Sequence, residues 1–185
     1  MCLRIMMKGL DMALASTLTV GSALVALLAA APFALPRAQV IERTAVVAAD
    51  PSIVFDLIES SAGYQRFNPY RDTDAELQIT PFGPEAGVGS GFAFEGREGT
   101  GTQTVTAVTP DREIVHLIDL GAMGQPVQTF TLTPVAGGTE VRWAIRSEFG
   151  LNPIGRVFGL FMDGMLGPRQ EAGLENLSAT LTPQA

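Results

Sequence analysis

The chain has 185 residues, enough for one domain with a real core and too few for two of ordinary size. It carries 12 basic against 19 acidic residues, a net charge of −7, and an acidic surface of this kind repels nucleic-acid backbones and anionic lipid headgroups. One cysteine, Cys2, excludes an intrachain disulfide and a cysteine-based metal site; one histidine, His116, leaves a zinc centre or a Ser-His-Asp triad resting on a single residue. No metal and no cofactor are therefore expected.

Mean hydropathy is +0.25, high for a globular chain, and the excess is local. No charged residue stands between Asp11 and Arg37. Residues 12–31 would span about 30 Å as a helix, the thickness of a bilayer's hydrocarbon core. Arg4 and Lys8 precede the segment and favour a cytoplasmic N-terminus, which puts the remainder of the chain on the extracytoplasmic side of a single-pass membrane protein. The alternative is a signal peptide: Ala29 and Ala31 form an Ala-x-Ala pattern, although cleavage after Ala31 would have to break an Ala–Pro bond. The domain would then be periplasmic or secreted. Residues 1–37 are read as anchor or signal peptide, and residues 38–185 as one domain with nine arginines against 18 carboxylates.

A strand is expected over residues 39–47. Asp50-Pro51 opens a short helix, with Asp as N-cap and Pro at the first helical position, and Val54, Phe55 and Ile58 share one of its faces. Gly63 breaks it. Tyr64, Phe67 and Tyr70 recur every third residue through a second short helix that Asn68-Pro69 ends. Six strands come next, over residues 75–80, 90–95, 101–109, 113–120, 127–134 and 139–149, with Gly137-Gly138 in a tight hairpin. The last alternates cleanly: Val141, Trp143, Ile145 and Phe149 oppose Glu140, Arg142, Arg146 and Glu148, so one sheet face is dry. The cover for that face is sought in the C-terminal segment. Ile154, Val157, Phe158, Phe161 and Met165 lie at helical spacing, and Leu174, Leu177 and Leu181 resume the stripe after Pro168, which should kink or split the helix. This order describes an α+β domain whose antiparallel sheet curls around the final helix.

Taken together, Ala48-Ala49-Asp50-Pro51, Tyr64-x-x-Phe67-Asn68-Pro69, Gly87-Val88-Gly89 before Phe92-Ala93-Phe94-Glu95-Gly96, Gly137-Gly138-Thr139-x-Val141-x-Trp143, and Asn152-Pro153 with Gly173-Leu174-x-Asn176-Leu177 resemble the START/polyketide-cyclase-like (SRPBCC, Bet v 1-like) superfamily. The resemblance runs from about Val40 to Leu181. Many similar bacterial sequences begin with one hydrophobic segment just before the first strand. Tyr64, Phe67, Tyr70 and Phe94 depart from the pattern by standing where relatives often have tryptophan. The resemblance implies a helix-grip fold with a deep apolar cavity between sheet and long helix, used by different members for lipids, sterols, polyketides or hormones; a minority are cyclases or dehydratases.

On that basis the expected ligand-binding residues are Tyr64, Phe67, Tyr70, Phe92, Phe94, Phe130, Trp143, Phe158, Phe161 and Met165. For proton transfer the first candidates are Tyr64, Tyr70 and His116, the last sharing a strand face with Ile114, Ile118 and Leu120. Glu95 and Asp119 point away from that face and are expected to be solvated. Arg71 is expected to pair with Asp72, Asp74 or Glu76. Gly155, Gly159 and Gly164 thin one side of the final helix, leaving either ligand space or close packing. The leading expectation is a non-catalytic, membrane-tethered binder of a small hydrophobic molecule, with no nucleic-acid partner. Its alternatives are a cyclase/dehydratase-type enzyme and a protein-interaction module.

Overall fold

In the computed structural model, residues 30–182 are described. The expected anchor over residues 12–31 therefore lies almost wholly outside the described residues. Among those that are described, no helix is long and apolar enough to cross a membrane.

The chain enters through a 3-10 turn, Ala31–Ala34, and leads into β1 (Ala38–Val47). Pro51 starts α1 (Pro51–Ile58) as its spacing predicts, but the Asp50 side chain makes no cap hydrogen bond; the Asp50 carbonyl instead accepts from the N–H groups of Ile53 and Val54. In α2 (Ser61–Tyr64) the Ser60 hydroxyl caps the Gly63 N–H at 3.0 Å. Gly63 is required here, because a β-carbon would stand 2.0 Å from the Leu57 carbonyl oxygen. The hinge between the two short helices is thus built on a contact only glycine permits.

The remaining strands are β2 (Gln78–Phe82), β3 (Gly91–Gly96), β4 (Gly99–Thr109), β5 (Glu113–Asp119), β6 (Val127–Val135) and β7 (Gly138–Glu148). All pair antiparallel in one curved sheet of order β1-β7-β6-β5-β4-β3-β2. A register shift between Val105 and Ala107 in β4 bends the sheet near its middle. β2 begins three residues later than the sequence suggests because buried Asp74 turns the chain first. Its carboxylate accepts the N–H groups of Glu76 and Arg97, which holds residues 74–76 out of the ladder. The pairing expected of Arg71 goes to Arg97, which reaches Asp74 and Glu76.

Two helices close the fold: α3 (Pro153–Gly159) and α4 (Met162–Leu181). The break falls at Leu160-Phe161 rather than at Pro168, which sits inside α4 and costs it one internal hydrogen bond without ending it. α4 lies across the inner face of β1 and β7, as the α+β helix-grip reading requires. Its contact with Trp143 is made at Gly173, where a β-carbon would meet the indole ring at 2.4 Å. The Arg43 guanidinium on β1 holds the start of α4 through Asp163 (2.9 Å) and Glu171 (2.6 Å), and buried Gln170 donates to the carbonyls of Trp143 and Ile41. Leu174 and Leu177 complete the core with Val54, Ile58, Phe67, Ile114, Phe130 and Val141.

Candidate functional site

Strand parity decides what enters the interior. On β5, Ile114 and His116 are buried while Glu113 and Val115 are not; on β6, Gln128, Phe130 and Leu132 point in; on β4, Gln103 and Val105 do. The expected outward carboxylates behave accordingly. Glu95 is exposed, and Asp119 bonds the Gly121 N–H and the Gln125 amide at the surface.

The space expected to be open is filled by the protein's own rings. Tyr64 packs on Phe67 at 4.8 Å between centroids and on Phe92 at 5.5 Å; Phe67 meets Phe130 and Trp143 edge-on; Phe130 and Trp143 lie 4.8 Å apart. Such tilted and edge-on pairs are favourable beyond the area they bury. Among these rings lies a cavity of about 10 Å³, bordered by Ser60, Ser61, Tyr64, Ser90, Phe92, Gln103, Val105 and His116. That is room for about one water-sized group. An open, polar depression at Arg66, Asp72, Asn176 and Thr180 lies on the surface, apart from this interior.

The small cavity is polar out of proportion to its surroundings. Ser61 Oγ, Gln103 Nε2 and His116 Nδ1 border it without a hydrogen-bond partner. Close by, the Tyr64 hydroxyl faces the Gln128 and Gln103 side chains, and Gln128 Nε2 is likewise unpartnered. A buried polar atom without a partner costs about 1–3 kcal/mol, so several at one point are a place where an oxygen atom would be held well. Burial pushes the His116 pKa down to about 4, only partly opposed by the nearby Ile58 backbone. Burial pushes the Tyr64 phenol well above its usual range, and nearby Tyr70 adds to this, against the opposing pull of the two glutamine side chains. Both groups are neutral hydrogen-bonding partners around pH 7.

Of the ten residues expected to line a ligand site, Tyr64, Phe67, Phe92, Phe130 and Trp143 converge in this interior, and Phe94 is half-buried beside Phe92. Tyr70 stands apart, stacked under the Arg169 guanidinium at 5.4 Å from the ring centroid. Phe158, Phe161 and Met165 are exposed on the outside, a correction to the reading that made them cover the sheet. The reason is local: Gly155 and Gly159 let α3 settle directly on the Phe149 ring, at β-carbon distances of 3.0 and 2.7 Å, so its bulky side chains turn outward. These two glycines serve close packing. Gln103 and Gln128 were not among the expected site residues, although each stands two positions from an apolar inward residue, Val105 and Phe130, and parity marks them as inward.

The fold is shared with proteins of known structure. A norcoclaurine synthase from Thalictrum flavum, solved with dopamine and hydroxybenzaldehyde, superposes with a TM-score of 0.59 at 14% identity, covering 80% of this chain and 90% of that one. A protein from Mesorhizobium loti gives 0.54 at 23% identity over 80% and 100% of the two chains. The di-domain ARO/CYC StfQ from the steffimycin biosynthetic pathway gives 0.57 at 11% identity, with 77% of this chain covering 50% of that one. At such identities these likenesses speak for the fold alone. No curated protein matches. The family model described as polyketide cyclase/dehydrase and lipid transport matches residues 38–182, nearly the whole sheet-and-helix unit, and the chain belongs to that family.

Proposed function

We propose that the domain binds a small, largely apolar molecule carrying an oxygen function, without transforming it, and that it does so tethered to a membrane by its N-terminal segment. Support for binding comes from the family and from one observation above all: partnerless polar atoms of Ser61, Gln103 and His116 converge on one point inside an aromatic shell. A carbonyl or hydroxyl oxygen placed there would satisfy the Gln103 amide and the Ser61 hydroxyl, while the apolar body displaced ring against ring. Burying that body contributes roughly 25 cal/mol per Å², which favours lipid- or polyketide-like molecules. Support for the tether is the uncharged run between Asp11 and Arg37.

The test is mass spectrometry of what copurifies with the full chain from native membranes. An apolar, oxygen-bearing molecule is expected with the wild type, retained about 10-fold less by Gln103→Leu, the loss of one hydrogen bond to a buried oxygen. Recovery of no small molecule, together with no change in Trp143 fluorescence on adding fatty acids or aromatic polyketides, would end this reading.

Two other readings keep an observation each. Tyr64 and His116 lie 5.8 Å apart between ring centroids beside the same cavity, where both could reach one substrate for proton transfer. Under that reading His116→Asn abolishes turnover but leaves ligand affinity within a few fold. An interior filled by its own side chains suits a protein-interaction module, for which a protein rather than a small molecule would be recovered from membranes.

A further inference from the structure

We propose that the outer face of α3 and the adjoining start of α4 lies on the surface of a lipid bilayer, beside the point where the chain enters the domain. This rests on the membrane-tethered reading and adds to it the face that meets lipid. The carrying observation is a helix turned inside out. α3 buries Arg156, at 3% exposure, together with Gly159, while Ile154 is 79% and Phe158 48% exposed. Its flanks continue the pattern, with Leu151 at 71%, Leu160 at 60% and Phe161 at 64%. A helix bathed in water does the opposite. Single exposed apolar residues are ordinary, but a contiguous set marks a surface that meets something apolar.

The residues of the face themselves carry no free charge. Between Glu148 and Asp163 the one charged residue is Arg156, and its guanidinium points inward, donating to the carbonyls of Gly150 (2.6 Å), Phe33 (2.7 Å) and Leu35 (3.3 Å). Asp163 is held by Arg43. The partners of Arg156 indicate the occupant. Through Phe33 and Leu35 it binds the described end of the stretch that carries no charge from residue 12 to residue 36, so the apolar zone of α3 stands directly beside the point where that stretch ends. Phe33, itself exposed, lies under the same guanidinium at 5.6 Å from the ring centroid. A bilayer interface accepts such a zone without needing a matched partner surface. The domain's nine arginines against 18 carboxylates make neutral phosphatidylcholine the suitable lipid.

The experiment uses the full chain in a Cys2→Ser background, reconstituted into phosphatidylcholine vesicles, with an environment-sensitive fluorophore at Leu160→Cys or, as a control, at Glu95→Cys on distant β3. The expected result is several-fold stronger quenching of the Leu160→Cys label than of the control by nitroxide-bearing lipid, with protection from aqueous iodide. Adding Ile154→Asp and Phe158→Asp, both at exposed positions, should abolish the difference while Trp143 emission stays native. Two labels equally open to iodide on vesicle-bound protein would overturn the lipid contact and leave the tether standing. Protection from iodide without lipid quenching would overturn it in favour of a protein cover: a second copy if Leu160→Cys cross-links between chains, the chain's own N-terminal segment if it does not. Failure of the chain to stay with the vesicles would overturn tether and contact together.

Discussion

His116 is neutral in the folded protein because its surroundings cannot solvate a charge, and that neutrality makes stability depend on pH. The folded imidazole titrates at about 4 and the unfolded one near 6.5. Between those values the unfolded chain binds a proton that the folded chain does not, so stability rises with pH across the window and is lost as pH falls from 6.5 towards 4. The full effect is about 3 kcal/mol at most. Urea melts of wild type and His116→Leu at pH 4.5 and 7.0 measure it: the wild type should lose markedly more stability on acidification. Equal losses would show that surface carboxylates carry the whole pH dependence. The burial of His116 was legible in the alternation of residues 113–120. Its neighbours Gln103 and Gln128 were legible only in part, because parity gives the face of a strand but not which strands end up opposite one another.

At the scale of elements, the helices show what periodicity leaves undetermined. Ile154, Val157, Phe158, Phe161 and Met165 do recur at helical spacing, yet the stripe identifies a face without saying which way it is turned. Direction was set by what the other face could tolerate: glycines flat against Phe149 and an arginine with three backbone acceptors close by. The strands were more legible, since alternation separates wet from dry at every second residue, and most of their limits differ from expectation by a residue or two. Gly173 tests the close seating of α4. Gly173→Ala would drive a methyl into Trp143 and against Pro69, with a β-carbon 2.4 Å from the indole. Helix propensity favours alanine by about 1 kcal/mol, but overpacking costs about 1–3 kcal/mol or more at so short a distance. A net loss in denaturant melts is expected, with the Trp143 emission shifted. A stabilised variant would show that the helix can lift off the sheet freely.

For the molecule as a whole, the α+β helix-grip architecture was readable from element order and from one face of β7. The state of the interior was not, because whether large rings line a space or fill it depends on packing in three dimensions that no linear pattern encodes. A filled interior has a kinetic signature. A ligand that enters can do so only after Tyr64, Phe92 and their neighbours part, so the observed association rate should level off at high ligand concentration, at the rate of opening. Stopped-flow fluorescence of Trp143, the single tryptophan, can track this with oleate as probe. A rate that climbs linearly throughout would mean the shell is already open in solution.

Arg156 also decides how the domain is mounted. Its side chain joins Phe33 and Leu35, at the beginning of the described chain, to Gly150, just past the final strand, so the entrance to the domain and the exit from its sheet move as one piece. From Phe33 onward the entering chain has no slack against the sheet. The sheet's heading is thereby fixed to residues 33–35, and loss of that one guanidinium would free the entry turn from it.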